Sequence, residues 1–249
     1  MALINLWSGP RNVSTALMYS LRQRSDTTVV DEPLYAHFLA RTGRVHPGRE
    51  SVLESQSHDG NAVVRELIVR SQSNTQHVFA KHMAHHLIDI ELSPLLDSHH
   101  VFLIRDPRQM LSSLTIQLPD AELPDTGLSQ QCSLLETLRQ HGAQPAVLDS
   151  RELLLDTEHV LRSLCSHLDI PWEPDMLHWP AGPKPEDGVW APHWYHAVHQ
   201  STGFSSYREK PPPHASLEPL LEQCLPLYHT LFEHAFRARS DSYNESTER

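Results

Sequence analysis

The chain contains no run approaching the ~18 consecutive apolar residues that a transmembrane helix needs. Its first residues, MALINLWSGP, carry no basic segment and no long apolar stretch before a cleavage site. Neither a membrane span nor a secretory leader is expected, and a cytoplasmic location is. Cysteine is scarce: Cys132, Cys165 and Cys224 are three, far apart, with no CxxC pair. That argues against a disulfide framework and against a zinc site. Cys165 and Cys224 fall in apolar helical patterns and are expected in the core. Basic charge is short as well, with 20 Lys and Arg against 31 Asp and Glu and a net charge of −11. No basic stripe exists to neutralise a phosphate backbone, so nucleic acid is not expected as a partner. Any anionic ligand must be held by local features. Histidine is abundant at 19 residues, so the charge should rise just below neutrality. No HExxH or comparable spacing accompanies the histidines, and no metal is expected.

What is present suffices for one sizeable core: 249 residues with 39% hydrophobic content. A single domain over 1–239 is expected, with a disordered polar tail, SDSYNESTER, over 240–249. Short apolar runs at 2–7, 27–30, 77–82, 100–104 and 146–148 read as strands. Helical periodicity covers 14–23, 34–41, 61–72, 128–140, 156–168 and 216–236, the last with Pro226 inside it. A further helix should start at Pro107 behind Asp106 as its cap. Residues 42–60 and 118–127 read as mostly loop, and 171–200 as irregular. Strands alternating with helices imply an α/β fold, a parallel sheet with helices on both faces. Ligands of such sheets bind beyond the carboxyl ends of the strands. Ser8–Val13, Lys81 with His82, and Arg105 should then share one rim.

The segment Trp7–Thr15, WSGPRNVST, leads from the first strand into a helix. Open N–H groups and the positive dipole end at such a start favour a phosphate or sulfate. Ser14 and Thr15 add hydroxyl donors and Arg11 adds a cation. A Walker A loop it is not, for the second glycine and the lysine of GxxxxGK[ST] are missing. A second pattern lies in VFLIRDPRQMLSSL: Arg105 ends a strand and Ser113 follows eight residues on, inside the next helix. Arg supplies a fork of donors to a phosphate, and a hydroxyl can close its other side.

Together these motifs resemble the PAPS-dependent sulfotransferases, where PAPS is 3′-phosphoadenosine-5′-phosphosulfate. PRNVST is similar to that family's 5′-phosphosulfate loop, P-K/R-S-G-T-T, and Arg105 with Ser113 to its 3′-phosphate pair. VLDSRELLLD, followed by a helix and Leu168-Asp169-Ile170-Pro171, matches a further family stretch. DEPLYAHF at 31–38 and the Pro/Trp-rich tract 176–204 resemble a small subgroup that also occurs beside aminotransferase-like domains. The resemblance implies a P-loop-like sulfotransferase fold that binds PAPS through Arg11, Asn12, Val13, Ser14, Thr15, Arg105 and Ser113. Ser201, Thr202 and Gly203 stand where the family's C-terminal cofactor segment comes, without its usual Arg-Lys-Gly. Asn12 and Val13 replace the usual Ser-Gly, and Val13 cannot easily take positive φ. Ala16 stands where an aromatic often stacks on adenine, so adenine needs another partner.

The implied reaction moves a sulfuryl group from PAPS, without a metal, to a hydroxyl or amine of a small soluble acceptor. Arg11 is the candidate for stabilising the leaving phosphate. The family's K-T-H text becomes Lys81-His82-Met83, with Met83 at the catalytic position. The candidate base is thus displaced to His82, His85 or His86, with His82 chosen first and His85 next, and an expected pKa around 6–7. Glu32, Tyr35, Trp194 and His196 are candidates for the acceptor site. Two alternatives stay open: an ATP-dependent small-molecule kinase, and a non-catalytic nucleotide-binding domain of the same fold. The oligomeric state is not legible.

Overall fold

The computed structural model describes residues 1–73, 75–240 and 243. In chain order the elements are β1 (Leu3–Ser8), α1 (Ser14–Arg22), β2 (Thr27–Asp31), α2 (Tyr35–Thr42), α3 (Arg49–Ser55), α4 (Gly60–Ser73), β3 (His77–Met83), β4 (His99–Ile104), α5 (Pro107–Gln117), α6 (Leu123–Thr126), α7 (Leu128–Gln140), β5 (Ala146–Asp149), α8 (Ser150–Leu155), α9 (Thr157–His167), α10 (Ala191–Trp194), α11 (His196–His199), α12 (Glu218–Phe232) and β6 (Ala235–Phe236). The six strands form one sheet in the order β2-β3-β1-β4-β5-β6. Every pairing is parallel. The chain leaves β1 towards β2 on one side and later returns to β4 on the other. The carboxyl end of β1 is therefore where the strand order reverses and a crevice opens.

Alternation along each strand divides the core into two layers. Leu3 and Trp7 of β1, Val78 and Ala80 of β3, and Phe102 and Ile104 of β4 face α4, α5, α7 and α12. Ile4 and Leu6, Phe79, and Val101 and Leu103 face α1 and α9. All six β1 residues are buried, as a strand covered on both faces must be. A fully buried Leu contributes about 1.5–3 kcal/mol. A third cluster packs Tyr35, Phe38 and Leu39 of α2 against Val52, Trp190 and Tyr195.

Several elements differ from the sequence reading. The stretch 42–60 holds α3, whose Val52 is its buried residue. The stretch 118–127 holds α6, closed by a Glu122–Asp125 capping box. The helix expected over 156–168 is preceded by α8, which Asp149 caps by accepting from the Arg151 and Glu152 N–H groups. The terminal helix stops at Phe232, and Ala235 and Phe236, which continue its apolar period, pair instead with Val147 and Leu148 as β6. Asp106 caps α5 with Pro107 at its first turn, as expected. Of the tail expected from 240 onward, Ser240 and Tyr243 are described; 241, 242 and 244–249 lie outside the described residues. The Tyr243 hydroxyl bonds Glu152.

Candidate active site

The loop after β1 makes its sharp turn at Arg11, whose φ is 53°. Val13 keeps φ −89°, so the residue that could not take a positive φ is spared it. Asn12 holds the turn: its amide donates to Leu103 O at 3.1 Å and its carbonyl oxygen accepts from Val13 N–H at 2.9 Å. Gly9 lets the loop pass α6, since a Cβ there would stand 3.0 Å from Thr126 O. No side chain caps the start of α1. The first N–H groups of the helix thus open, with the Ser14 and Thr15 hydroxyls, on a cavity of about 540 Å³.

At that end the cavity meets Arg11, Arg105, Ser113 and Lys210. Arg11 Nε donates to Ser113 Oγ at 2.9 Å, and Arg105 donates to Arg11 O at 2.7 Å. Burial and the nearby Arg11 charge lower the pKa of Arg105. Burial, then Arg105 and Arg11, lower that of Lys210. Among the described residues none of these three cations has a carboxylate within ion-pair distance. Lys210 was not anticipated, because the resemblance puts the C-terminal cofactor segment at Ser201, Thr202 and Gly203. The basic text a few residues later, Tyr207-Arg208-Glu209-Lys210, was the available signal. Gln109 of α5 fixes Lys210 by bonding its N–H at 2.7 Å and its carbonyl at 3.3 Å. Ser201 and Gly203 line the cavity, while Thr202 is exposed and is not among its lining residues. Phe204 also lines it and packs in the cluster that includes Val13 and Ala16.

Glu32, Tyr35, Phe38, His46, His85 and Trp194 line the other end. His196 is exposed and is not part of the lining; its neighbour Tyr195 is. Between the two ends lies Lys81, 1% exposed. Its Nζ contacts Asp31 Oδ1 at 2.7 Å, Glu32 Oε1 at 2.8 Å, the Tyr195 hydroxyl at 2.7 Å and Thr15 Oγ1 at 3.4 Å. Burial opposes its charge, yet the two carboxylates hold its pKa well above the ordinary lysine value. Tyr195 donates onward to Asp31 Oδ2 at 2.7 Å and accepts from Trp190 Nε1 at 3.1 Å.

The histidines lie differently from the expectation. His82 does not reach the cavity. It bonds Asn5 Oδ1 at 3.1 Å and stacks on Trp7 with ring centroids 4.3 Å apart. Strand alternation puts it on the face of Val78 and Ala80, whereas Lys81 and Met83 face the cavity. His85 does line the cavity, edge-on to Phe38 at 5.1 Å. Burial depresses both histidines to about 3, with neighbouring positive or titratable groups adding to it. Neither has the pKa of 6–7 that was expected. Among the described residues no His, Cys, Asp or Glu cluster could hold a metal ion, and no helix is long and apolar enough to cross a membrane.

A parallel sheet whose first strand turns through a tight loop into the uncapped start of a helix defines a P-loop-like α/β domain. The Sulfotransferase domain family matches residues 1–235, and the chain belongs to that family. It is similar to the branched-chain-amino-acid aminotransferase-like proteins 1 and 2 of Arabidopsis thaliana. Protein 1 is 44% identical over 96% of this chain and 43% of its own length. Protein 2 is 42% identical over 93% of this chain and 41% of its own length. The chain thus spans less than half the length of these relatives. Among solved structures, the sulfotransferase domain of the Synechococcus PCC 7002 olefin synthase has a TM-score of 0.60 at 15% identity, covering 94% of this chain and 95% of that one. The sulfotransferase from Alicyclobacillus acidocaldarius has a TM-score of 0.52 at 14% identity, over 96% and 98% of the two chains. At such identities they speak for the fold.

Proposed function

We propose that this chain transfers a sulfuryl group from PAPS to a hydroxyl, or an amine, of a small soluble acceptor. The observation that carries the reading is the convergence of Arg11, Arg105, Ser113, Ser14, Thr15 and the open start of α1 on one end of a single cavity. Arg105, Ser113 and Lys210 would take the 3′-phosphate. The α1 start, Ser14, Thr15 and Arg11 would take the phosphosulfate, and Phe204 would lie against adenine. In the reaction the acceptor oxygen forms a bond to sulfur. The bond from sulfur to the 5′-phosphate oxygen breaks, and 3′,5′-ADP leaves with the electron pair. Arg11 and the helix dipole meet the charge that develops on that oxygen. Glu32, Tyr35, Phe38 and Trp194 would surround the acceptor.

The test is thermal stabilisation by 3′,5′-ADP against 5′-AMP. A ligand at 100 times its dissociation constant adds about 2.7 kcal/mol. A marked preference for the 3′-phosphate is expected, and equal shifts overturn the reading. Met83, with no basic atom at the position where the resemblance implies a histidine, favours a second reading, a binding domain without turnover. Tight 3′,5′-ADP binding without sulfuryl transfer to any acceptor would select it.

A further inference from the structure

We infer that residues 43–48 are a hinged strap that opens and shuts the end of the cavity beyond Lys81, with the Arg44–Asp125 ion pair as its latch. Val45, His46 and Pro47 line the cavity, and Asp125 of α6 does too. Val45 is also 86% exposed, so the strap bounds the cavity on one side and meets bulk water on the other. It is outer wall. Arg44 Nη2 reaches Asp125 Oδ1 at 2.8 Å and ties that wall to α6. Such a gate belongs to the cavity whatever reaction runs there. Under the transfer reading it admits the acceptor and leaves the donor end alone.

Both ends of the strap are glycines at helix termini. α2 ends against Gly43, φ 67°, and α3 begins behind Gly48, φ 74°. Glycine takes such angles without a Cβ clash, and element ends that absorb backbone rotation are where hinges form. A Cβ at Gly43 would meet nothing within 4 Å, so glycine serves backbone freedom there and not close packing. The flanking helices are anchored, α2 by Tyr35 to Leu39 and α3 by Val52. From Thr42 to Gly48 no residue is buried. The strap is held by polar contacts instead. Besides the latch, His46 Nδ1 bonds the Tyr35 hydroxyl at 2.9 Å and Arg49 Nε donates to Arg44 O at 3.2 Å. A segment without buried apolar contacts opens locally at small cost.

The two halves of the latch differ. Asp125 is fixed, because its Oδ2 accepts from the Glu122 N–H at 2.9 Å within the capping box of α6. Its side chain is 10% exposed, against 38% for Arg44. Asp125 therefore stays with α6 while Arg44 leaves with the strap. A partly exposed ion pair is weak and screened by salt, which suits a catch that thermal motion undoes and remakes.

The experiment measures access directly. Met83 lines the cavity and is 9% exposed, so Met83→Cys supplies a reporter thiol inside it. Its labelling by N-ethylmaleimide is followed by peptide mass spectrometry, with Cys165, buried in the core, as the monitor of global unfolding. In Met83→Cys the labelling rate should rise with sodium chloride. Adding Arg44→Ala should raise the rate about 2–5-fold at low salt and abolish the salt dependence. Cys165 should stay unlabelled and the Kd for 3′,5′-ADP unchanged. Adding Arg44→Lys instead should retain the salt dependence. A rate unaltered by Arg44→Ala, or Cys165 labelled in step with position 83, overturns the strap. A weakened Kd in Arg44→Ala overturns it as well, by showing that Arg44 serves the donor end. If 3′,5′-ADP binds no form of the protein, the donor reading falls while the labelling comparison still decides the strap.

Discussion

The cavity has two populations of cations, and they are held in opposite ways. Lys81 is buried, touched by two carboxylates and a tyrosine hydroxyl. Among the described residues Arg11, Arg105 and Lys210 have no carboxylate within ion-pair distance, and burial and their fellow cations push Arg105 and Lys210 down in pKa, against the pull of Asp149 and Asp106 on Arg105. A buried charge with opposite partners is explained by the fold itself. Like charges gathered in a cleft of a chain with net charge −11 repel one another, and an anionic ligand relieves that repulsion. The contrast separates a cation whose charge the fold itself balances from cations that an anionic ligand would balance, as the proposed function requires.

The strongest way to sharpen this contrast is Lys81→Ala. It leaves Asp31 and Glu32 buried without their cation and should cost about 3–5 kcal/mol of stability. Urea denaturation measures it, and an unchanged midpoint would place Lys81 among the ligand-binding cations. Acid comes next. His82 and His85, near 3, and His100, near 4, take up protons less readily folded than unfolded. Their contribution is complete above an unfolded pKa of about 6.5 and declines as pH falls towards those values. Each contributes a slope of up to about 1.4 kcal/mol per pH unit. The melting temperature should fall steeply below pH 6.5, and a flat profile to pH 4 would show the histidines to be hydrated.

Arg105→Ala should behave in the opposite manner to Lys81→Ala. It should leave the stability of the free protein nearly unchanged, while 3′,5′-ADP binding weakens by about 1.5–3 kcal/mol and 5′-AMP binding hardly moves. Lys210→Ala, at an exposed site, should weaken 3′,5′-ADP by less, and the loss should shrink as salt rises. EDTA should change nothing, because the cation group supplies the positive field that magnesium supplies in many kinases. A strict magnesium requirement would return the kinase alternative.

That Arg11, Ser14, Thr15, Arg105 and Ser113 meet at one cavity was readable in the sequence because local geometry determines it. A strand end followed by a helix start fixes how far Arg105 stands from Ser113, and the loop before α1 must turn where its N–H groups open. The opposite end of the cavity depends on contacts between distant segments, such as Tyr195 with Asp31 and Lys81, which no spacing reveals. His82 was misplaced although its signal was present, for it shares its parity along β3 with the core residues Val78 and Ala80. The strand β6 was hidden because Ala235 and Phe236 continue an apolar helical period; only pairing with β5 distinguishes them. The sulfotransferase fold was legible because β1, β3, β4 and β5 are each built on a short, mostly apolar run.

Helix α5 carries Ser113 and, one turn earlier, the Gln109 side chain that grips the Lys210 backbone from both directions. Residues four apart share a helix face. The hydroxyl and the lysine thus ride on one rigid rod, although Lys210 belongs to a loop 101 residues away from Gln109 in the chain. A slight tilt of that rod would advance or withdraw both groups in step, so under the proposed function the hold on the 3′-phosphate would tighten or release as a unit.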